Sequence, residues 1–174
     1  MSTIINIFGA PGAGKSTIAS GLFYQMKKFG YNVELAFEWI KFKVYQEDAY
    51  PFKDQIYTFA KQNKQINQLT MQVDYIITDS PLLLSLLYGK NECKAFHDLV
   101  LYCYYKNKNY NFVVERNHNY QSIGRYQNEK ESQELHKDIL KILNTYHIPF
   151  TLVKSTNALE TIIDDLKLKE QNFK

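Results

Sequence analysis

Residues 9–16 read Gly-Ala-Pro-Gly-Ala-Gly-Lys-Ser, and no other stretch of this 174-residue chain restricts its fold so tightly. The run before it, Ile4-Ile5-Asn6-Ile7-Phe8, is rich in β-branched residues and predicts a buried strand. After it, Ile18, Ala19, Leu22, Phe23 and Met26 recur at helical spacing and predict a helix over about 15–29, with Gly30 as its stop. Gly-x4-Gly-Lys-Ser between a strand and a helix is a phosphate-binding loop. Glycines let successive backbone N–H groups close on an anion where a side chain would intrude. The positive end of the following helix faces the same anion. A lysine at position 15 bridges β- and γ-phosphates as a point charge, and the hydroxyl of Ser16 is a ligand for Mg²⁺. Thr17 faces the α-phosphate or caps the helix. A simple chain reversal would account for the glycines but not for Lys-Ser at this offset. The expected nucleotide-binding set is therefore Gly9, Ala10, Gly12, Ala13, Gly14, Lys15, Ser16 and Thr17.

Strands alternate with helices along the rest of the chain. Residues 32–37 predict a second strand and 38–47 a helix, and Pro51 breaks the chain before a long helix over about 53–71. Val73-Asp74-Tyr75-Ile76-Ile77-Thr78 predicts the third strand. Residues 82–105 are mostly helical with a break at Gly89, and 111–115 form a fourth strand. A helix over about 129–146, a strand over 150–153 and a helix near 158–168 close the chain. Such alternation means a parallel sheet with helices on both faces. The length fits one domain over residues 1–174. Asn128-Glu129-Lys130-Glu131 ahead of Leu135, Ile139 and Ile142 reads as a capped amphipathic helix and not as a site.

In a parallel α/β sheet ligands gather at the carboxyl ends of the strands, where Glu38, Asp79 and Glu115 all fall. Asp79 directly follows a hydrophobic strand, the place of a carboxylate that helps hold Mg²⁺; an N-cap is its plain alternative. Glu38 is placed to orient an attacking hydroxyl or take its proton, or else to complement a helix dipole. The chain has two arginines beside nineteen lysines, and both lie in the polar stretch after the fourth strand. Arg116 and Arg125 are expected on a lid, about 116–128, that brings the planar guanidinium fork onto the migrating phosphoryl group. His97, His118, His136 and His147 show no metal-ligand spacing.

A net charge of +3 suits an anionic substrate and falls short of a dedicated nucleic-acid binder. Cys93 and Cys103 read as buried or half-buried reduced thiols, which with the absence of a signal pattern implies a cytoplasmic protein. The longest apolar run, 81–88, is too short to span a bilayer, so no membrane partner is expected. The 25 tyrosines and phenylalanines fill core positions in the plain reading; stacking a flat ligand is the functional one.

The phosphate loop with Thr17, Asp79-Ser80-Pro81 after the third strand and an arginine-bearing lid after the fourth together resemble the nucleoside/nucleotide kinase branch of P-loop proteins. The chain looks more closely like small phage and bacterial ATP-binding proteins labelled AAA-type ATPase, thymidylate-kinase-like or nicotinamide-riboside-kinase-like. Similar to their pattern are Arg116, Tyr120, Gly124, Arg125, Gln127 and Glu129, the stretch Glu38-Trp39-Ile40-Lys41, and the glutamine-bearing helix with Gln55 and Gln62. The resemblance implies a three-layer P-loop NTPase fold with a five-stranded parallel sheet ordered 2-3-1-4-5. It also implies an acceptor held over the strand ends by the helices after the second strand. No arginine precedes Arg116, so a phosphate on an acceptor nucleotide would be met by Lys41, Lys43, Lys53 or Lys61. That departure favours a hydroxyl acceptor. Trp39, Tyr57, Gln62 and Tyr120 are the candidates for holding the acceptor base.

The expected activity is an ATP- and Mg²⁺-dependent kinase acting on a nucleoside- or nucleotide-like small molecule. Two alternatives stand beside it: a kinase of a hydroxymethylated base in DNA, which makes DNA a substrate, and a nucleotide-dependent ATPase switch. A homodimer is among the expectations, and the sequence leaves ATP and GTP undistinguished.

Overall fold

The computed structural model describes residues 2–37, 54–116 and 129–169. Strand β1 (Thr3–Phe8) leads through the glycine-rich loop into α1 (Lys15–Lys28), followed by β2 (Val33–Ala36). Next come α2 (Gln55–Leu69), β3 (Tyr75–Thr78), the short α3 (Leu84–Tyr88) and α4 (Lys94–Tyr105). The chain then forms β4 (Lys108–Glu115), α5 (Glu129–Thr145), β5 (Thr151–Lys154) and α6 (Ala158–Asp165). All five strands are parallel, in the order β2-β3-β1-β4-β5. The expected sheet and its order are what the structure has.

Because helices cover both faces, β1 is apolar on both sides and sorts its side chains by alternation. Ile4 and Phe8 enter one core with Ile76, Val113, Phe59 and Ile66 of α2, Val100 of α4, and Ile139 and Leu143 of α5. Ile5 and Ile7 enter the other with Ile77, Val114, Leu22 and Met26 of α1, and Ile162 of α6. Each of these side chains is almost wholly buried, which contributes roughly 1.5–3 kcal/mol apiece.

One row across the sheet is polar. Thr78, Asn6 and Asn111 are register neighbours on β3, β1 and β4, and all three are buried on the first face. Asn6 donates to Asn109 Oδ1 (2.9 Å) and Asn111 Oδ1 (3.0 Å). Asn111 donates to the Tyr104 hydroxyl (2.8 Å) and to the Pro149 carbonyl (2.9 Å). The same row explains why β4 starts at Lys108, three residues earlier than hydrophobicity predicts: Asn109 and Asn111 face inward and are satisfied there.

Other boundaries shift by a residue or three, while the expected break at Gly89 is present and separates α3 from α4. Cys93 is exposed, contrary to expectation, because it precedes the first turn of α4; Cys103 is buried, and burial pushes its thiol pKa up. The helix expected over 38–47 lies outside the described residues. No helix among the described residues is long and apolar enough to cross a membrane.

Candidate functional site

The glycine-rich loop sits at the carboxyl end of the central strand. Gly9 has φ 155° and sits so close to β4 that a Cβ would come within 3.2 Å of Ala13 Cβ and 3.3 Å of the Val114 carbonyl. Only glycine lets β1, the loop and β4 pack at this spacing. The next residues form a turn in which Ala13 N–H donates to the Ala10 carbonyl at 3.1 Å. Lys15 Nζ folds back onto the same carbonyl at 3.3 Å.

The two helix starts at this level differ. Asp54 caps α2, its carboxylate accepting from Tyr57 N–H at 2.8 Å. At α1 the N-cap is Gly14, no side chain caps the first turn, and no acidic residue lies in it. The positive end of α1 thus carries no anion of its own, which is the arrangement that receives a phosphate. Ser16 is half-buried in this first turn; Thr17 is exposed and is not the cap.

Asp79 follows the last residue of β3 and is 3 % exposed. Helix α3 begins only at Leu84, with Leu83 as its N-cap, so the capping alternative for Asp79 does not hold. Behind it, Thr78 Oγ1 accepts from Ser80 N–H (3.1 Å) and from Gln62 Nε2 (3.2 Å). Gln62 is 4 % exposed, and its Oε1 is buried with no hydrogen-bond partner. One turn further along α2, the Gln65 amide, oriented by its partners, brackets Phe37: it donates to the carbonyl at 3.0 Å and accepts from the N–H at 3.1 Å. Two glutamines therefore tie α2 to the ends of β2 and β3. Gln65 was not singled out from the sequence, although its three-residue spacing from Gln62 puts both on one helix face.

Tyr57 lies five residues before Gln62, on another side of α2, 40 % exposed, with Lys61 Nζ 5.2 Å from its ring centre. Arg116 follows β4 directly and is half-buried. The structure thus brings Lys15, Ser16, Asp79, Arg116 and Gln62 to the same edge of the sheet. Glu38, Trp39, Tyr120 and Arg125 lie outside the described residues. A groove of ≈ 500 Å³ lined by Ile56, Phe59, Asn63, Lys64 and Leu99 runs between α2 and α4 and includes no residue of this edge. No cluster of three or more metal-ligating side chains occurs among the described residues, and Ser16 with Asp79 is a hydroxyl–carboxylate set of the kind Mg²⁺ takes.

A phosphate loop at the end of the central strand, an open helix start and a buried carboxylate one strand over define a P-loop protein. The chain belongs to the AAA domain family (AAA_28), whose model matches residues 4–160. No curated protein matches the sequence. Among solved structures it is similar to NadR in complex with NR, at 14 % identity and TM-score 0.68 over 99 % of this chain; it spans 54 % of that one. It is also similar to thymidylate kinase from Ehrlichia chaffeensis, at 14 % identity and TM-score 0.62, over 95 % of this chain and 100 % of that one. Deoxyadenosine kinase from M. mycoides with bound dATP matches at 23 % identity and TM-score 0.52, over 94 % of this chain and 98 % of that one. The shared fold is that of P-loop nucleoside and nucleotide kinases.

Proposed function

We propose that the protein is a single-domain kinase that moves the γ-phosphoryl group of ATP, with Mg²⁺, to a nucleoside- or nucleotide-like acceptor. The observation that carries this reading is the pairing of an uncapped α1 start behind the phosphate loop with buried Asp79 on the adjacent strand. Lys15 and the loop amides hold the β- and γ-phosphates, with Thr17 beside the α-phosphate; Ser16 and Asp79 hold the metal, which supplies charge neutralisation when bound. Glu38 orients the acceptor hydroxyl and takes its proton as the new phosphorus–oxygen bond forms and the bond to ADP breaks. Arg116 and Arg125, on the lid that the sequence suggests over 116–128, neutralise the charge of the migrating group.

The acceptor class rests on the neighbours, whose names record deoxyadenosine kinase, thymidylate kinase and NadR with NR. It also rests on Gln62, whose buried Oε1 is a spare hydrogen-bond acceptor beside Thr78. An amino or amide N–H on the acceptor base would satisfy it, with Trp39 and Tyr120 supplying aromatic contact; Tyr57, on another side of α2, does not face Gln62's side and drops out of the set.

Purified protein is assayed for ATP consumption with Mg²⁺ and a panel of nucleosides, deoxynucleotides, nicotinamide riboside and hydroxymethylated DNA, with Lys15→Ala as control. The expected result is one small-molecule acceptor that raises consumption at least about 100-fold and yields a phosphorylated product, with the control inactive. Slow hydrolysis indifferent to every acceptor would overturn the kinase reading in favour of an ATPase switch. Product on the DNA alone would replace the acceptor class.

A further inference from the structure

Helix α5 carries a buried stripe that begins with the wrong kind of residue. Leu135, Ile139 and Leu143 face the first core, and Ser132 lies on the same face one turn earlier, only 2 % exposed. A hydrophobic side chain is expected there, and a buried hydroxyl needs a partner. Its partner is the glycine-rich loop: Ser132 Oγ donates to the Pro11 carbonyl at 2.9 Å.

The position of that carbonyl matters. Ala10 to Ala13 is a four-residue turn closed by the Ala13 N–H to Ala10 bond, with Pro11 second and Gly12 third at φ 85°. That is the signature of a type II turn, which differs from type I by a half-rotation of its central peptide. The central peptide here joins Pro11 to Gly12. No cis peptide bond occurs among the described residues, and across a trans peptide C=O and N–H point opposite ways. A carbonyl held toward α5 therefore turns the Gly12 N–H away from it. Helix α5 packs on the first face of the sheet and α1 on the second. The N–H is thus turned to the side on which α1 opens.

We propose that Ser132 is a positioning residue for nucleotide binding: by holding the Pro11 carbonyl it fixes the Pro11–Gly12 peptide so that the Gly12 N–H is presented to the β- and γ-phosphates. The proposal rests on the reading of this loop as an ATP site. It adds a residue from the far side of the chain, 121 positions away, to the machinery of the loop.

The test measures the Kd of MgATP and MgADP by calorimetry for the wild type, Ser132→Ala and Ser132→Thr, with kcat at saturating ATP and the melting temperature without nucleotide. The Ala variant is expected to bind both nucleotides about five- to tenfold more weakly, with kcat within about twofold of wild type. Thr keeps a hydroxyl on the same carbon and is expected to recover most of the affinity. Unchanged affinity in Ser132→Ala overturns the proposal. So does a loss of kcat in step with affinity, or a Thr variant that melts like wild type but binds as weakly as Ala, because either shows general loosening instead of an oriented peptide. A wild-type protein that binds neither nucleotide sinks the ATP-site reading itself, a result visible without any Ser132 variant.

Discussion

The polar row that crosses the sheet through Thr78, Asn6 and Asn111 behaves differently at its two ends. At the β4 end it closes on itself. Asn6, Asn109, Asn111 and the Tyr104 hydroxyl bond to one another and to the Pro149 carbonyl, and none of their side-chain atoms is buried without a partner. At the β3 end it stays open: Thr78 takes one hydrogen from Gln62 and leaves the other half of that amide unmatched. Both ends sit at the same level of the same face, so burial does not separate them. What separates them is valence. The asparagines of the row use up their donors and acceptors, whereas the spare acceptor on Gln62 is a cost that a bound ligand would remove on the proposed reading.

Substitutions at the two ends should therefore move different observables. Asp79→Asn is expected to lower ATP-dependent turnover on the order of 10²- to 10³-fold, read in the coupled assay at saturating Mg²⁺. A tenfold or smaller loss would remove Asp79 from the metal set. Asn111→Ala strips partners from Asn6, Tyr104 and Pro149 at once, and should cost about 3 kcal/mol of stability, or a melting point lower by on the order of 10 °C. The affinity for ATP in that variant should stay within about twofold at a temperature where the protein is folded; a larger change would erase the distinction between the two ends.

Gln62→Leu inverts the pattern. It exchanges one hydrogen bond and one unmatched acceptor for apolar contact, so stability should shift by less than about 1 kcal/mol while the KM of the acceptor rises about tenfold. A stability loss with no change in KM would make Gln62 part of the scaffold. Tyr104→Phe is the mildest. Burial pushes the Tyr104 hydroxyl from 10.0 up to about 12. A group whose pKa is raised by folding contributes stability below its unfolded pKa and loses it as pH climbs toward the folded one. Wild type should thus lose stability between about pH 10 and 12 by denaturant titration, and the Phe variant should lack that component.

The sequence announced the parts whose physics is local. Gly9, Gly14, Lys15 and Ser16 carry their geometry in the chain itself, and Ile4 to Phe8 announces a buried strand by composition, while its central place followed only from the resemblance. The place of Asp79 was legible because it directly follows a hydrophobic run that ends in a strand. Ser132 was not, because a single serine in an amphipathic helix looks like any surface serine until the helix phase and the partner 121 residues away are both known. The early start of β4 was hidden for a related reason. Asn109 breaks the hydrophobic pattern, and only the third dimension shows that it answers Asn6.

The pair of glutamines on α2 has a consequence for how two ligands at this edge would affect each other. Gln62 grips the end of β3 and Gln65 the end of β2, so a single rigid rod spans the strand that leads to Asp79 and the strand that leads to Glu38. On the proposed kinase reading, a ligand that pulled on this rod from the acceptor side would be felt at Asp79, and reciprocity would make the converse equally strong. Donor and acceptor would then not bind as strangers: each would tighten or loosen the other by one common factor, set by how far α2 yields.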